Sequence, residues 1–256
     1  MTRHHATSPQ KEIAERRGQT RRSASRTVAS LIAVVAAVAV VLLPAGAGAA
    51  SADTCPDVQL LFARGTNEPG APVGITGQAL HRSLQVGFPG QDVRVAPIRY
   101  AASGEFQKGL GFLRTVAAGV RHAQQQTTTL AKRCPQTKIV LGGYSQGGVI
   151  VTYAASDQLA RVSPMLREVP DPLPRWVAHH VVSIVTFGQP SDRWFREAHL
   201  PPMRVGHLYR SKTRNYCIPG DTICDGGAMQ LPRAVHGLYA VNGMTGAAAA
   251  FTATRL

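Results

Sequence analysis

A single α/β domain, built on a mostly parallel central sheet with helices over both faces, is the fold class this sequence predicts. Three observations carry that expectation. Short apolar, β-branched runs alternate with longer helical stretches; no repeat of fixed period or second-domain linker interrupts them; and 256 residues suffice for one sizeable core but not for two once a leader is set aside.

Taken in order, Val58 to Ala63, Val93 to Ile98, Lys138 to Leu141 and Val181 to Phe187 read as buried strands, each closed by Gly, Pro or polar residues. Between the second and third, residues 106–132 place Leu110, Leu113, Val116, Val120 and Leu130 on one helix face, despite the glycines and the run Thr127 to Thr129. Strands separated by helices are covered on both faces, which is the setting of parallel sheets. After the third strand, Gly148 to Ala155 suits a helix. Residues 161–180, with Pro164, Pro170, Pro172 and Pro174, read as a surface excursion, and Val205 to Tyr209 as a short β-like run. The Ala-rich tail from Met244 closes the chain as a helix.

The first 28 residues hold seven basic side chains against Glu12 and Glu15, and an apolar run from Ala29 to Leu43 follows. Pro44 and the small residues through Ala52 then supply A-x-A-type positions, so residues 1–50 read as a signal peptide, cleaved between Ala47 and Ala52, and residues 53–256 as the working domain. This run of fifteen residues falls short of the roughly 20 that a bilayer-spanning helix needs, which favours cleavage over anchoring. Two Arg-Arg pairs keep a twin-arginine export route open. The expected location is outside the cell, free or on the wall.

All four cysteines, Cys55, Cys134, Cys217 and Cys224, follow the cleavage zone, and an even count in an exported chain implies two disulfides. Three pairings are possible; Cys217 and Cys224 enclose a short Pro-Gly turn and are paired, leaving Cys55 with Cys134. Zinc is the alternative for four cysteines, but no C-x-x-C occurs and the spacings are wide, so no metal is expected. The formal charge of +14 falls to +9 without the leader, on scattered arginines with no basic run or interleaved aromatics. That excludes a nucleic-acid-binding signature and leaves a basic surface suited, at most, to peripheral contact with an anionic envelope.

The chemistry concentrates after the third strand. Gly143-Tyr144-Ser145-Gln146-Gly147 is a G-x-S-x-G match placed between a strand and a helix. In that context the serine sits on a strained turn, and glycines two positions to either side let strand and helix pass closely. The N–H of Gln146, opening the helix, is aimed at a developing oxyanion. A serine hydroxyl needs a histidine to take its proton and a carboxylate to orient that histidine, in the chain order Ser, acid, His. His179, His180, His199 and His207 are candidate bases, but His236, in a loop near the C-terminus, stands where such a base usually falls. For the acid, Asp221 lies inside the Cys217–Cys224 loop, which a disulfide would stiffen; Asp192 after the fourth strand is the rival, and Asp225 a less framed alternative.

These residues together resemble the cutinase family, over nearly the whole mature chain: Gly-Tyr-Ser-Gln-Gly-Gly at 143–148, Cys-x-x-Gly-Asp-x-Ile-Cys at 217–224 and His236-x-x-Tyr239. The resemblance implies a small α/β-hydrolase fold, catalytic Ser145, Asp221 and His236, the same two disulfides and no cofactor. It also implies an oxyanion hole from Thr66, in Ala63-Arg64-Gly65-Thr66, together with Gln146. Thr66 stands where fungal relatives frequently have serine, so its hydroxyl must find a rotamer against an extra methyl. Gly226 to Val235, with Met229, Leu231 and Pro232, would form one lip of an acyl cleft. The expected activity is hydrolysis of cutin-type polyesters, acyl esters or lipid esters by a monomer. A phospholipase or acyltransferase with the same three residues, and an inactive surface protein that has kept the fold, are the alternatives.

Overall fold

The computed structural model describes residues 55–104, 110–158, 171–226 and 231–256, all within one unit spanning Ser51–Leu256. The leader and its cleavage zone lie outside the described residues. Five strands form a single parallel sheet: β1 (Val58–Ala63), β2 (Val93–Pro97), β3 (Lys138–Tyr144), β4 (Val181–Phe187) and β5 (Thr213–Tyr216), in the order β2-β1-β3-β4-β5. Every residue of β1 and β4 is buried, as is all of β3 beyond its first, which accounts for their nearly unbroken apolar sequences.

Alternation along each strand splits the core in two. Leu61, Ala63, Ile139, Leu141 and Ile184 face one layer, formed by α2 (Leu110–Arg133) and α3 (Gln146–Ala154), where Leu113, Val116, Val120, Val149 and Ile150 meet them. Leu60, Phe62, Val140, Val185 and Phe187 face the other, with Leu80 and Leu84 of α1 (Ile75–Gly87). Ala248 and Ala249 of the closing helix complete that layer. A short α4 (Asp192–Glu197) follows β4, and the closing helix, α5, is Met244–Ala253.

Several expectations need correction. The third strand runs to Tyr144, three residues beyond Leu141, because the β3–β4 ladder continues with Gly142, Gly143 and Tyr144 opposite Val185, Thr186 and Phe187. The β-like run Val205 to Tyr209 is not a strand: it lies in turns that lead into a 3-10 turn at Arg210–Lys212, and the edge strand β5 follows at Thr213–Tyr216. Its two central residues, Arg214 and Asn215, are exposed, so β5 carries no apolar signature. Of the Pro-rich excursion, residues 159–170 lie outside the described residues, and Arg175–His179 is a 3-10 turn.

The strand order places the site. From β1 the chain moves outward to β2, then returns past β1 to β3 on its other side, so the crevice at the C-terminal ends of β1 and β3 is a topological switch point, where sheets of this type receive ligands. The register sets Ala63 beside Gly143, which brings the segment after β1 alongside the turn after β3.

Both disulfides are formed, Cys55–Cys134 and Cys217–Cys224, so all four cysteines that could have held zinc are committed to bridges. They close loops of very different length, with sequence separations of 79 and 7. Chain entropy therefore predicts a loss of about 4 kcal/mol for the double Cys55→Ser, Cys134→Ser variant and about 2 kcal/mol for Cys217→Ser, Cys224→Ser. Denaturant unfolding of the two variants checks the order; equal losses would contradict it.

Candidate active site

Ser145 sits between β3 and α3 with φ 51° and ψ −117°, a backbone conformation that residues with a Cβ seldom adopt. Its N–H donates to Phe187 O at 2.8 Å, continuing the β3–β4 ladder, while its carbonyl accepts from Gly148 N–H at 2.9 Å. The tight turn requires the flanking glycines. A Cβ on Gly143 would lie 2.2 Å from Gly147 O, and one on Gly147 would lie 1.9 Å from Ala63 O.

His236 arrives on a 3-10 turn, Ala234–Gly237, in the segment between β5 and α5. Its Nε2 lies 3.0 Å from Ser145 Oγ, and its Nδ1 lies 2.8 Å from Asp221 Oδ2. The carboxylate fixes the tautomer: a proton on Nδ1 donates to Asp221, leaving Nε2 to accept from the serine. Asp221 is fully buried and also accepts from Tyr239 Oη at 2.6 Å and from Ile223 N–H at 3.0 Å. Burial pushes its carboxyl up, but the bonds from His236, Tyr239 and Ile223 outweigh burial and hold it below its ordinary value. Burial and the contact with Asp221 raise the Tyr239 phenol well above its usual range, so it stays protonated and donates.

Two further residues frame the histidine. Tyr144 Oη donates to His236 O at 2.6 Å, and their rings lie 5.0 Å apart. Gly188, at φ 54°, ends β4 against the imidazole; a Cβ there would lie 3.0 Å from His236 Cε1 and 2.7 Å from Tyr239 Cε2. The motifs singled out in the sequence do not hold Gly188, and nothing in them pairs the Tyr144 hydroxyl with the His236 carbonyl. The spacing His236-x-x-Tyr239 was the available signal for Tyr239.

Gln146 is the first residue of α3, so its N–H has no carbonyl four residues back to bind and lies at the positive end of the helix dipole. Its side chain accepts from Thr66 Oγ1 at 2.8 Å and donates to Thr115 Oγ1 at 3.0 Å. The hydroxyl thus finds its rotamer on Gln146, and the extra methyl is accommodated at Gly104, where a Cβ would lie 3.8 Å from Thr66 Cγ2.

The structure brings Ser145, His236 and Asp221 into one hydrogen-bonded chain and sets Thr66 against Gln146. It does not bring in the rivals. Asp192 opens α4 and pairs with Arg204 at 2.8 Å, Asp225 accepts from Gly220 N–H, and His207 pairs with Asp157 at 3.1 Å. His180 stands edge-on to Trp176, and His199 follows α4 at φ 53°. Of the expected lip, residues 227–230, including Met229, lie outside the described residues, while Leu231 is exposed.

A parallel sheet with helices on both faces, a strained serine turn after β3 and a histidine and carboxylate from later loops together define an α/β-hydrolase fold. The chain belongs to the cutinase family, whose profile matches residues 54–256. It is 40% identical over 176 residues to the probable carboxylesterase Culp7 of Mycobacterium tuberculosis, covering 69% of this chain and 90% of that protein. It is 36% identical to the phospholipase Culp4 of the same organism, over 93% of this chain and 96% of that one. Among solved structures it resembles Trichoderma reesei cutinase in complex with a phosphonate inhibitor, at 29% identity and a TM-score of 0.58, covering 78% and 76% of the two chains.

The depressed Asp221 carboxyl has a stability consequence of definite sign. The stability its ionised form contributes is complete above the ordinary carboxylate value and is lost as pH falls through its folded value, which lies lower. Unfolding free energies of the unmodified protein and Asp221→Asn should therefore differ most at neutral pH, by about 1–3 kcal/mol, and converge below roughly pH 4. Denaturant melts across pH check this, and a difference independent of pH would contradict it.

Proposed function

We propose that this protein is an exported serine carboxylic-ester hydrolase working through an acyl-enzyme on Ser145. The hydrogen-bonded chain Ser145–His236–Asp221 carries the proposal. As Ser145 Oγ attacks the ester carbonyl carbon, His236 Nε2 takes its proton, and Asp221 balances the imidazolium charge without itself taking the proton. The carbonyl oxygen becomes an oxyanion that accepts from the backbone N–H groups of Gln146 and Thr66. His236 returns the proton to the leaving alkoxide and an acyl-Ser145 ester remains; the same nitrogen then takes a proton from a water that attacks the acyl carbon, and passes it to Ser145 Oγ as the acid leaves.

The substrate range we propose is cutin-type polyester, short to medium acyl esters and lipid esters. Similarity to a probable carboxylesterase and to a phospholipase supports an ester of either kind, and keeps a lipid-directed hydrolase or acyltransferase as the second reading. We also propose that residues 1–50 are removed on export and that residues 53–256 act outside the cell as a monomer, with peripheral contact to the envelope. The basic leader and its apolar run support export, as do the two disulfides, which persist in oxidising compartments.

A p-nitrophenyl ester series from short to long acyl chains, set beside phospholipid vesicles, separates these substrates. Ser145→Ala should lower kcat by roughly 10⁴-fold or more, and Asp221→Asn by about 10⁴-fold, with KM little changed. Undiminished turnover by Ser145→Ala would remove the serine from the mechanism, whereas no ester turnover by the unmodified protein, with every other property unchanged in Ser145→Ala, would favour the inactive surface protein. Transfer of the acyl group to an added alcohol in preference to water would move the assignment to an acyltransferase.

A further inference from the structure

Glu68 is a buried carboxylate that the reaction above does not use. It lies two residues beyond Thr66 and is 6% exposed. One oxygen, Oε2, accepts from Gly65 N–H at 2.7 Å; the other, Oε1, accepts from Thr76 N–H at 2.8 Å. Thr76 is the second residue of α1, whose N-cap is Gly74, a residue with no side chain to cap the helix. Glu68 supplies the missing acceptor from outside the helix, at its positive end. The fit is close: a Cβ on Gly74 would lie 2.2 Å from Glu68 Oε2.

The same residue holds the other side of Gly65. Glu68 N–H donates to Gly65 O at 3.2 Å, so both polar groups of Gly65 are bound to Glu68. In a trans peptide the C=O and N–H point in opposite directions. The Gly65 carbonyl and the Thr66 N–H share one peptide, so turning that carbonyl toward Glu68 turns the Thr66 N–H away from it. Neighbours restrict any other placement. Tyr100 Oη donates to Arg64 O, and a Cβ on Gly65 would lie 2.4 Å from the Tyr144 ring.

We propose that Glu68 is a positioning residue for the oxyanion hole, its carboxylate joining the segment after β1 to the start of α1 and thereby fixing the direction of the Thr66 N–H. This rests on the acyl-enzyme reading above and adds to it a residue that touches neither substrate nor reacting atoms. A carboxylate suits the place because both of its oxygens face donors. A glutamine there can accept with one oxygen only, and its NH₂ would oppose the second N–H. A misdirected oxyanion donor weakens binding of the tetrahedral state while leaving the ground-state ester largely unaffected.

The test is Glu68→Gln, assayed on p-nitrophenyl butyrate and with an alkyl phosphonate that labels Ser145. The expected result is a kcat lowered roughly 10- to 100-fold with KM within about twofold, and phosphonylation slowed by a similar factor yet reaching one label per chain. Full labelling of Ser145 keeps the nucleophile reading intact and so separates its failure from that of the present proposal. Glu68→Asp, which keeps the charge on a shorter arm, is the second variant and should show the same kcat loss. A kcat within twofold of the unmodified enzyme in a folded Glu68→Gln would overturn the proposal. In the unmodified protein the Gly65 amide should exchange with solvent as slowly as the β1 amides; exchange at the rate of an exposed loop would overturn it whether or not either variant folds.

Discussion

The site depends on a single close passage, that of the start of α3 over the end of β1. Gly147 lies so near the carbonyls of Ala63 and Arg64 that no side chain fits between them. That contact sets Ser145, at positive φ, at the head of α3, and sets Gln146 beside the segment carrying Thr66. The parallel register of β1 with β3 supplies the approach, and the missing Cβ atoms at 143 and 147 permit it. Backbone strain at the serine is held by the β3–β4 ladder on one side and the α3 hydrogen bonds on the other.

The second half of the site comes from the segment after β5, where the chain has little regular structure, and it is stiffened by polar bonds. The Cys217–Cys224 bridge closes the loop around Asp221, Tyr239 binds both Asp221 and the Ile218 N–H, and Arg233 O receives the His236 N–H. Tyr144 joins the halves. It stands one residue before the serine, its hydroxyl holds the His236 carbonyl, and its ring packs on Gly65 beside Thr66. The lowered Asp221 carboxyl follows from this arrangement, since three donors converge on a group that burial alone would push toward neutrality.

How much was legible in the sequence varied with the physics behind each feature. The buried strands β1, β3 and β4 are written as apolar runs because both faces of the sheet are covered, whereas the edge strand β2, Val93–Pro97, is buried only at its first residue and ends one residue before the expected Ile98. G-x-S-x-G is legible because close packing leaves glycine as the only fit at two fixed positions. Cys-x-x-Gly-Asp-x-Ile-Cys and His236 were read from loop context and from the resemblance to cutinases; the hydrogen bonds between them are long-range and have no local signature. The edge strand β5 escaped because half of it is exposed, and Val205 to Tyr209 misled because buried Tyr209 packs in the core from a turn. Helix α1 was left unassigned, although Leu80 and Leu84 repeat at helical spacing. Gly188 meets His236 and Tyr239 from far along the chain, and Glu68 binds backbone N–H groups, which carry no residue signature, so only the folded geometry exposes them.

The central claim is that Ser145 is the nucleophile on which the whole arrangement converges, and covalent labelling tests it most directly. The protein should be treated with an alkyl p-nitrophenyl phosphonate, digested, and its peptides weighed. The account predicts one phosphonyl group per chain, on Ser145, appearing in step with the loss of esterase activity and absent from His236→Ala on the same timescale. Activity lost through a label on another residue, or full activity retained with Ser145 stoichiometrically modified, would contradict it.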